Sequence, residues 1–471
     1  MSVLATDAQA AHAVAVDRLL ASYRAIPQGA TVRLAKPTSN LFRARAKASG
    51  KGLDTTGLTG VISVDQEART ADVAGMCTYE DLVAATLPYG LSPLVVPQLK
   101  TITLGGAVTG LGIESASFRN GLPHESVLEL DILTGAGEVV TASRDQHADL
   151  FRAFPNSYGT LGYSVRLKIE LEPVKPFVAL THLRFHDVAE LVAAMDRIIE
   201  TGGHDGVPVD YLDGVVFSAD ESYLCLGVQT ATPGPVSDYT GQHIYYRSIQ
   251  HAHGAKDDRL TIHDYLWRWD TDWFWCSRAF GAQNPTVRRF WPRRYRRSSF
   301  YWKLVGYDQR FDIANRIEKR NGRPPLERVV QDIEVPIGRT TEFVEWFLEN
   351  VPIEPIWLCP LRLRDDAGWP LYPIAGHQTY VNVGFWSAVP VGPSGGQERS
   401  DPGMIEEGHT NRLIEHTVSE LDGHKSLYSD AYYSRDEFEE LYGGETYKTV
   451  KKSYDPDSRL LDLYAKAVQR R

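Results

Sequence analysis

The stretch Pro97-Gln-Leu-Lys-Thr-Ile-Thr-Leu-Gly-Gly-Ala-Val-Thr-Gly-Leu-Gly-Ile-Glu-Ser115 constrains the fold of this 471-residue chain more than any other. Four of its nineteen residues are glycine and four carry hydroxyls. Glycine removes the Cβ that would hold a ligand off the backbone, and the freed N–H groups can meet phosphate or ring oxygens. Such a loop suits a flat, polar ligand, although the same composition also reads as a tight turn between packed elements. Two nucleotide signatures are excluded. No Gly-Lys-Ser/Thr follows, as a Walker A loop requires, and the GxGxxG order of a Rossmann turn is missing.

Around this loop the first third reads as mixed α/β. Ala8 to Tyr23 has the periodicity of an amphipathic helix that stops before Pro27, and Val61 to Val64 and Thr70 to Ala74 are short strands around a polar turn. Thr78, with Asp81 three residues on, predicts the N-cap of a helix that ends at Gly90. Val127 to Leu133 and Glu138 to Ala142 flank Thr134-Gly-Ala-Gly137, a hairpin signal. Arg166 to Glu172 alternates strictly, with Leu167, Ile169 and Leu171 on one side, which predicts a strand with one wet face. Pro173 and Pro176 close this lobe. From Phe177 to Asp422, strand-like runs (211–217, 222–229, 356–363, 379–385) alternate with helical ones (187–201, 341–350, 411–421), the pattern of an α+β second lobe. Val389 to Gly408 is rich in Pro, Gly and Ser and reads as a surface loop.

Composition narrows the function. Lys plus Arg number 50 against 60 Asp plus Glu, a net charge of -10, which argues against nucleic acid as a partner. The four cysteines, Cys77, Cys225, Cys276 and Cys359, are far apart, so neither a metal site nor a disulfide framework is expected, and a reducing cytoplasm fits best. Met1 to Ala25 lacks a basic n-region and carries Asp7 and Asp17, so it is a poor signal peptide. No run approaches the ~18 apolar residues that a spanning helix needs.

Two further segments join the first. Lys36-Pro-Thr-Ser-Asn-Leu-Phe42 is a polar turn ahead of the first strand pair, and Asn156-Ser-Tyr-Gly-Thr-Leu-Gly162 leads into the last strand of the first lobe. Together with the glycine loop they resemble the FAD domain of the vanillyl-alcohol-oxidase (PCMH) type, in which FAD lies extended between two α+β subdomains. Leu104 to Ser117, Asp149-Leu-Phe-Arg-Ala-Phe-Pro155, Val329-Val-Gln-Asp-Ile-Glu-Val-Pro336, Pro355-Ile-Trp-Leu-Cys-Pro360 and Tyr428-Ser-Asp-Ala-Tyr-Tyr-Ser-Arg-Asp-Glu-Phe438 look like the Δ24-sterol reductase branch of that superfamily. The same branch holds bacterial flavoproteins that reduce methylene-branched fatty acyl chains, as in tuberculostearate-type 10-methyl lipid synthesis. The animal sterol enzymes carry an N-terminal membrane helix that is missing here, which favours the acyl substrate, 10-methylene-stearoyl to 10-methyl-stearoyl, over the sterol.

The resemblance implies an α+β protein: an FAD-binding domain over 1–176, an inserted α+β substrate or cap domain over 177–422, and a C-terminal segment, 423–471, packing back on the FAD domain. It implies FAD held by Lys36, Pro37, Thr38, Ser39, Asn40, Thr103, Gly105, Gly106, Thr109, Gly112, Ile113, Ser115, Gly159, Thr160 and Gly162, with NADPH as hydride donor. Covalent members tether FAD through His or Cys; the loop from Pro97 to Ser115 has neither, so a non-covalent FAD is expected. An isolated C=C must be protonated as hydride arrives, so an acid is needed, and Glu114 or Asp430 is the candidate, with Tyr428 or Tyr432 orienting it. A carboxyl among aromatics would be pushed up in pKa; each of these residues also has an ordinary structural reading. The rival functions are an FAD-dependent alcohol oxidase or dehydrogenase and, outside catalysis, a flavin-bound scaffold for a lipid methyltransferase.

One anomaly remains between Tyr265 and Trp302. Six of the ten tryptophans (Trp267, Trp269, Trp273, Trp275, Trp291, Trp302) fall there, interleaved with Arg288, Arg289, Arg293, Arg294, Arg296 and Arg297. That mixture suits an anionic membrane interface and predicts peripheral contact at the inner face of the membrane through Trp267–Trp302; an aromatic cluster with a solvated Arg face is the other reading.

Overall fold

Period-2 alternation organises both halves of the protein. The computed structural model describes residues 3–35, 42–43, 50–240, 243–251, 258–391 and 407–470. The first sheet holds β1 (Val61–Asp65), β2 (Thr70–Ala74), β3 (Leu91–Pro93), β4 (Val127–Leu133), β5 (Val139–Ser143) and β6 (Tyr163–Pro173), in the antiparallel order β1-β2-β6-β4-β5, with β3 pairing the far end of β6. Leu167, Ile169 and Leu171 of β6 are buried. On its wet face Arg166 binds Asp131 at 2.7 Å and Asp72 at 2.5 Å, so a half-buried cation is matched by carboxylates from both neighbouring strands. The Val3–Arg24 helix packs Ala15, Leu19 and Tyr23 against this sheet's edge.

Local signals account for the turns. The Thr78 hydroxyl accepts from the Asp81 N–H at 3.1 Å and starts the Tyr79–Thr86 helix, which tightens into a 3₁₀ turn and stops where Gly90 takes a φ of 68°. The glycine stretch is partly helical: Thr103 caps Leu104–Thr109, its hydroxyl accepting from Gly106 N–H at 3.2 Å. A Cβ on Gly105 would overlap the Ser164 hydroxyl and Gly75 carbonyl, and one on Gly112 would sit 2.6 Å from Pro97. Those two glycines therefore allow close packing on one side, while Gly105, Gly106, Thr109, Gly110 and Gly112 line a cavity on the other.

The second sheet takes eight strands, all antiparallel. They are β7 (Phe177–Phe185), β10 (Tyr211–Ser218), β11 (Glu221–Thr230), β12 (Asp258–Thr261), β13 (Leu326–Pro336), β14 (Ile356–Leu361), β15 (Tyr380–Pro390) and β16 (His424–Lys425), in the order β12-β7-β11-β10-β14-β15-β13-β16; a small hairpin, β8 (Gly203–His204) with β9 (Val207–Pro208), stands apart. One face carries Leu212, Val216, Ile333, Leu358, Val383 and Phe385 against the helices Val188–Thr201, Ile337–Asn350 and His409–Glu420. The other carries Asp213, Asp332, Glu334, Trp357, Asn382 and Trp386 toward the first lobe. β16 extends this sheet, so the boundary expected at 422/423 falls inside it. Beyond it the chain returns to the first lobe: Lys451 donates to Thr160 O at 2.9 Å, and Val32 N–H donates to Arg459 O at 2.7 Å. Lys36–Asn40 and most of the Val389–Gly408 loop lie outside the described residues.

Candidate active site

A cavity of about 350 Å³ lies between the lobes. One wall is the glycine stretch with its flanks: Thr103, Gly105, Gly106, Thr109, Gly112 and Ile113, joined by Gly159. The opposite wall is aromatic. Phe274 lies 4.4 Å from Trp386 and 5.4 Å from Trp357 between ring centroids, and Trp273 and Trp302 continue the surface. Trp273 and Phe274 reach it because both take positive φ, 46° and 56°. Burial also pushes the Cys276 thiol, which lines the cavity, up to about 12.

Between these walls stands one carboxyl group among the described residues, Asp332. It enters from β13 with Tyr428 beside it, and the Tyr428 hydroxyl is hydrogen-bonded to it. Trp386 Nε1–H donates to the Tyr428 oxygen at 3.0 Å, and Asn382 donates to Asp332 at 3.2 Å. Desolvation outweighs these two hydrogen bonds and raises Asp332 to about 7. Space for the carboxyl is made by Gly384, its register partner on β15: a Cβ there would lie 2.5 Å from Asp332 Oδ1 and 2.6 Å from the Trp386 ring. The sequence reading overlooked Asp332, although it sits inside the quoted Val329–Pro336 motif; the usable signal was its two-residue offset from Val330 and Glu334 on one strand face.

The other acid candidates do not reach the cavity. Glu114 is buried behind the glycine wall in an ion cluster. Its carboxylate accepts from Ser115 at 2.5 Å and lies 3.4 Å from Arg268, which also binds Asp213 at 3.0 Å. Trp357 Nε1–H donates to the same Asp213 oxygen at 3.1 Å, and Arg268 lies over the Tyr265 ring at 3.9 Å. Burial raises both carboxyls and the one guanidinium opposes it. This cluster joins the end of the glycine stretch to the cap, and its cation is committed. Asp430 faces Arg470 at 3.6 Å, away from the cavity. Tyr432 packs under Arg412 and Arg470. Of the four residues expected to act, Tyr428 alone lines the cavity.

The cofactor residues divide similarly. Ser115 bonds Glu114 and Tyr265, Thr160 donates to Ser157 O at 2.7 Å, and Gly162 packs against Leu133, so these three lie behind the wall. Five lining residues were missed: Gln98 and Tyr158 within the quoted segments, and Arg43, Ser164 and Lys466 outside them. Lys466 donates to Tyr158 O at 2.6 Å and Arg43 to Leu427 O at 3.0 Å, which ties the C-terminal segment to the glycine wall. Gln98 Nε2 and Trp302 Nε1 are buried there with no hydrogen-bond partner among the described residues. Among the described residues no cluster of His, Cys, Asp or Glu could hold a metal, and no helix is long and apolar enough to cross a membrane.

Residues 17–143 match the FAD-binding domain family. The chain is 26% identical over 425 residues to the Delta(24)-sterol reductase of Rattus norvegicus, covering 87% of this chain and 76% of that one. It is 25% identical over 443 residues to that of Arabidopsis thaliana, covering 87% and 75%. Cytokinin dehydrogenase 6 of Oryza sativa subsp. japonica is 35% identical over 145 residues, 31% of this chain and 27% of that one. Residues 17–143 are thus a PCMH-type FAD-binding domain, in an α+β flavoprotein similar along most of its length to Delta(24)-sterol reductases.

Proposed function

We propose that the protein is an FAD-dependent, NADPH-driven reductase of an isolated, branched C=C bond in a lipid. The observation that carries this is Asp332, held by Tyr428 among aromatic rings and facing the glycine wall. The cavity fits the cofactor on its own terms. A flat heteroaromatic ring with carbonyl oxygens would satisfy the buried Gln98 and Trp302 donors, and the backbone from Gly105 to Gly112 with Thr103, Thr109 and Lys466 suits a ribityl pyrophosphate. Cavity-lining Cys276 is a thiol, not a thiolate, at neutral pH, which supports non-covalent binding. A bound FAD, once reduced by NADPH, would supply the hydride.

The chain's own residues supply the rest. An unconjugated C=C gives hydride no carbonyl to polarise it, so a proton must arrive with or before the hydride. Below about pH 7 Asp332 holds that proton at its carboxyl oxygen, and Tyr428, itself anchored by Trp386, orients it. The faces of Trp273, Phe274, Trp357 and Trp386 exclude water and stabilise developing positive charge on the branched carbon. The relatives favour the Δ24 bond of a sterol side chain as substrate; a methylene-branched acyl chain makes the same electronic demand.

Mixing the anaerobic protein with NADPH and either desmosterol or a methylene-branched phospholipid, with products read by mass spectrometry, tests the reading and separates the two substrates. NADPH should bleach the flavin, and solvent deuterium should appear on the less substituted carbon with deuteride from labelled NADPH on the branched one. Bleaching by an alcohol donor but not NADPH would make the protein an oxidase or dehydrogenase. Bound flavin with no turnover under any donor would leave the scaffold role.

A further inference from the structure

The segment from Pro285 to Arg323 is strongly cationic in an acidic protein. It holds twelve Lys and Arg against three acids, whereas the whole chain carries a net -10. Some of these cations are committed: Arg288 pairs with Asp272, Arg293 with Asp238 and Arg297 with Glu80, each at 2.7 Å. Arg289, Arg294, Lys303, Arg310, Arg316 and Lys319 are exposed and have no carboxylate within 4.0 Å among the described residues.

The same segment exposes large apolar side chains that a globular surface usually hides. Phe290 is 77% exposed, Tyr307 59%, Phe311 46%, Ile313 45% and Ile317 52%. Tyr307 and Phe311 are four apart on the Ser298–Phe311 helix, and Ile313 and Ile317 are four apart on the Ile313–Arg320 helix that follows. Each pair therefore forms a stripe on one helix side, and the same helices carry the exposed Lys303, Arg310, Arg316 and Lys319. The tryptophans expected to face a membrane do not form this surface: Trp267, Trp269, Trp273 and Trp275 are buried in the core. The surface is nonetheless joined to the cavity. Ser298 and Trp302, at the start of the longer helix, line it, and Tyr307 and Phe311 follow within about 8 and 14 Å along the axis.

We infer that the Phe290–Lys319 surface seats the protein on an anionic lipid bilayer. Exposed apolar stripes flanked by unpaired Lys and Arg match the acyl boundary and the phosphate layer of such a surface, and the local charge is opposite to that of the rest of the chain, so the molecule is oriented as it docks. The helix then leads from the bilayer to the aromatic wall, and an apolar substrate can enter without crossing water. That last step rests on the lipid reading above; the docking does not.

Cosedimentation of the full-length protein with vesicles of phosphatidylcholine alone, or of phosphatidylcholine with phosphatidylglycerol, tests it. Binding is expected to the anionic vesicles only and to weaken with salt. Each cation at an anionic surface is worth about fivefold in affinity, so reversing four (Lys303→Glu, Arg310→Glu, Arg316→Glu, Lys319→Glu) should weaken binding more than about a hundredfold. Tyr307→Ser with Phe311→Ser and Ile317→Ser should weaken it with the flavin spectrum unchanged. Wild-type protein that stays in the supernatant, or both variants binding as wild type does, would overturn the inference. So would a dimer in vesicle-free sedimentation equilibrium that the apolar variant dissolves, since the face would then join two copies of this chain. If docking holds and neither lipid is reduced, the surface stands and the reaction reading fails.

Discussion

Burial holds the Asp332 carboxyl at about 7, against an ordinary value of 3.8, and that single group should govern two pH dependences. In the proposed reaction turnover needs the protonated form, so the rate of C=C reduction under saturating NADPH is expected to fall as pH rises through about 7. Stability moves the same way for a separate reason. Between 3.8 and about 7 the folded protein keeps a proton that the unfolded chain releases, so folding stability falls with rising pH across that window and levels off above it. Asp332→Asn removes the buried charge. Its stability relative to wild type, from urea unfolding, should therefore improve by roughly 3 kcal/mol between pH 5 and pH 8. The same variant should lose about a hundredfold or more in turnover while keeping its flavin spectrum. Asp430→Asn should leave turnover unchanged, because its carboxylate faces Arg470. A pH-rate profile that is flat from 6 to 8 would dismiss Asp332 as the acid.

At the scale of elements, the site is one face of an antiparallel sheet, and its register matters as much as its residues. Gly384 stands opposite Asp332 on β15 and beside Trp357 on β14. Gly384→Ala should displace the carboxyl and the Trp386 ring together, lowering turnover far more than flavin content. The buried cluster behind the glycine wall makes a different prediction. Arg268→Met leaves Glu114 and Asp213 without their cation, and about 3–5 kcal/mol of unfolding free energy should be lost. What was legible in the sequence follows from the same geometry. Arg166–Glu172 announces a strand because one face is wet and the other apolar. In β13 the polar positions, Asp332 and Glu334, point into the interior, so the alternation looks like a surface strand and hides its acid. The aromatic run from Trp267 to Trp275 reads two ways for a related reason: an apolar ring with a polar edge suits a buried core as well as a membrane interface, and here these tryptophans are buried. Glu114 looked like a catalytic acid because sequence proximity to the loop says nothing about the side chain's direction, which Arg268 decides from 154 residues away.

For the whole molecule, the cavity is assembled from segments that no single lobe contains: the glycine wall, the aromatic cap and the C-terminal return with Tyr428 and Lys466. No covalent tether is expected, so acid precipitation should leave a colourless pellet and a yellow supernatant; flavin that stays with the pellet would refute this. Lys466 joins the glycine wall through Tyr158 O, 308 residues earlier in the chain. That closure has a consequence for truncated chains. A chain that stops at residue 420 lacks Tyr428 and Lys466, so it has no complete pocket to retain a flavin. Flavin retention therefore waits on the 428–466 segment, and a variant truncated after residue 420 should be recovered uncoloured.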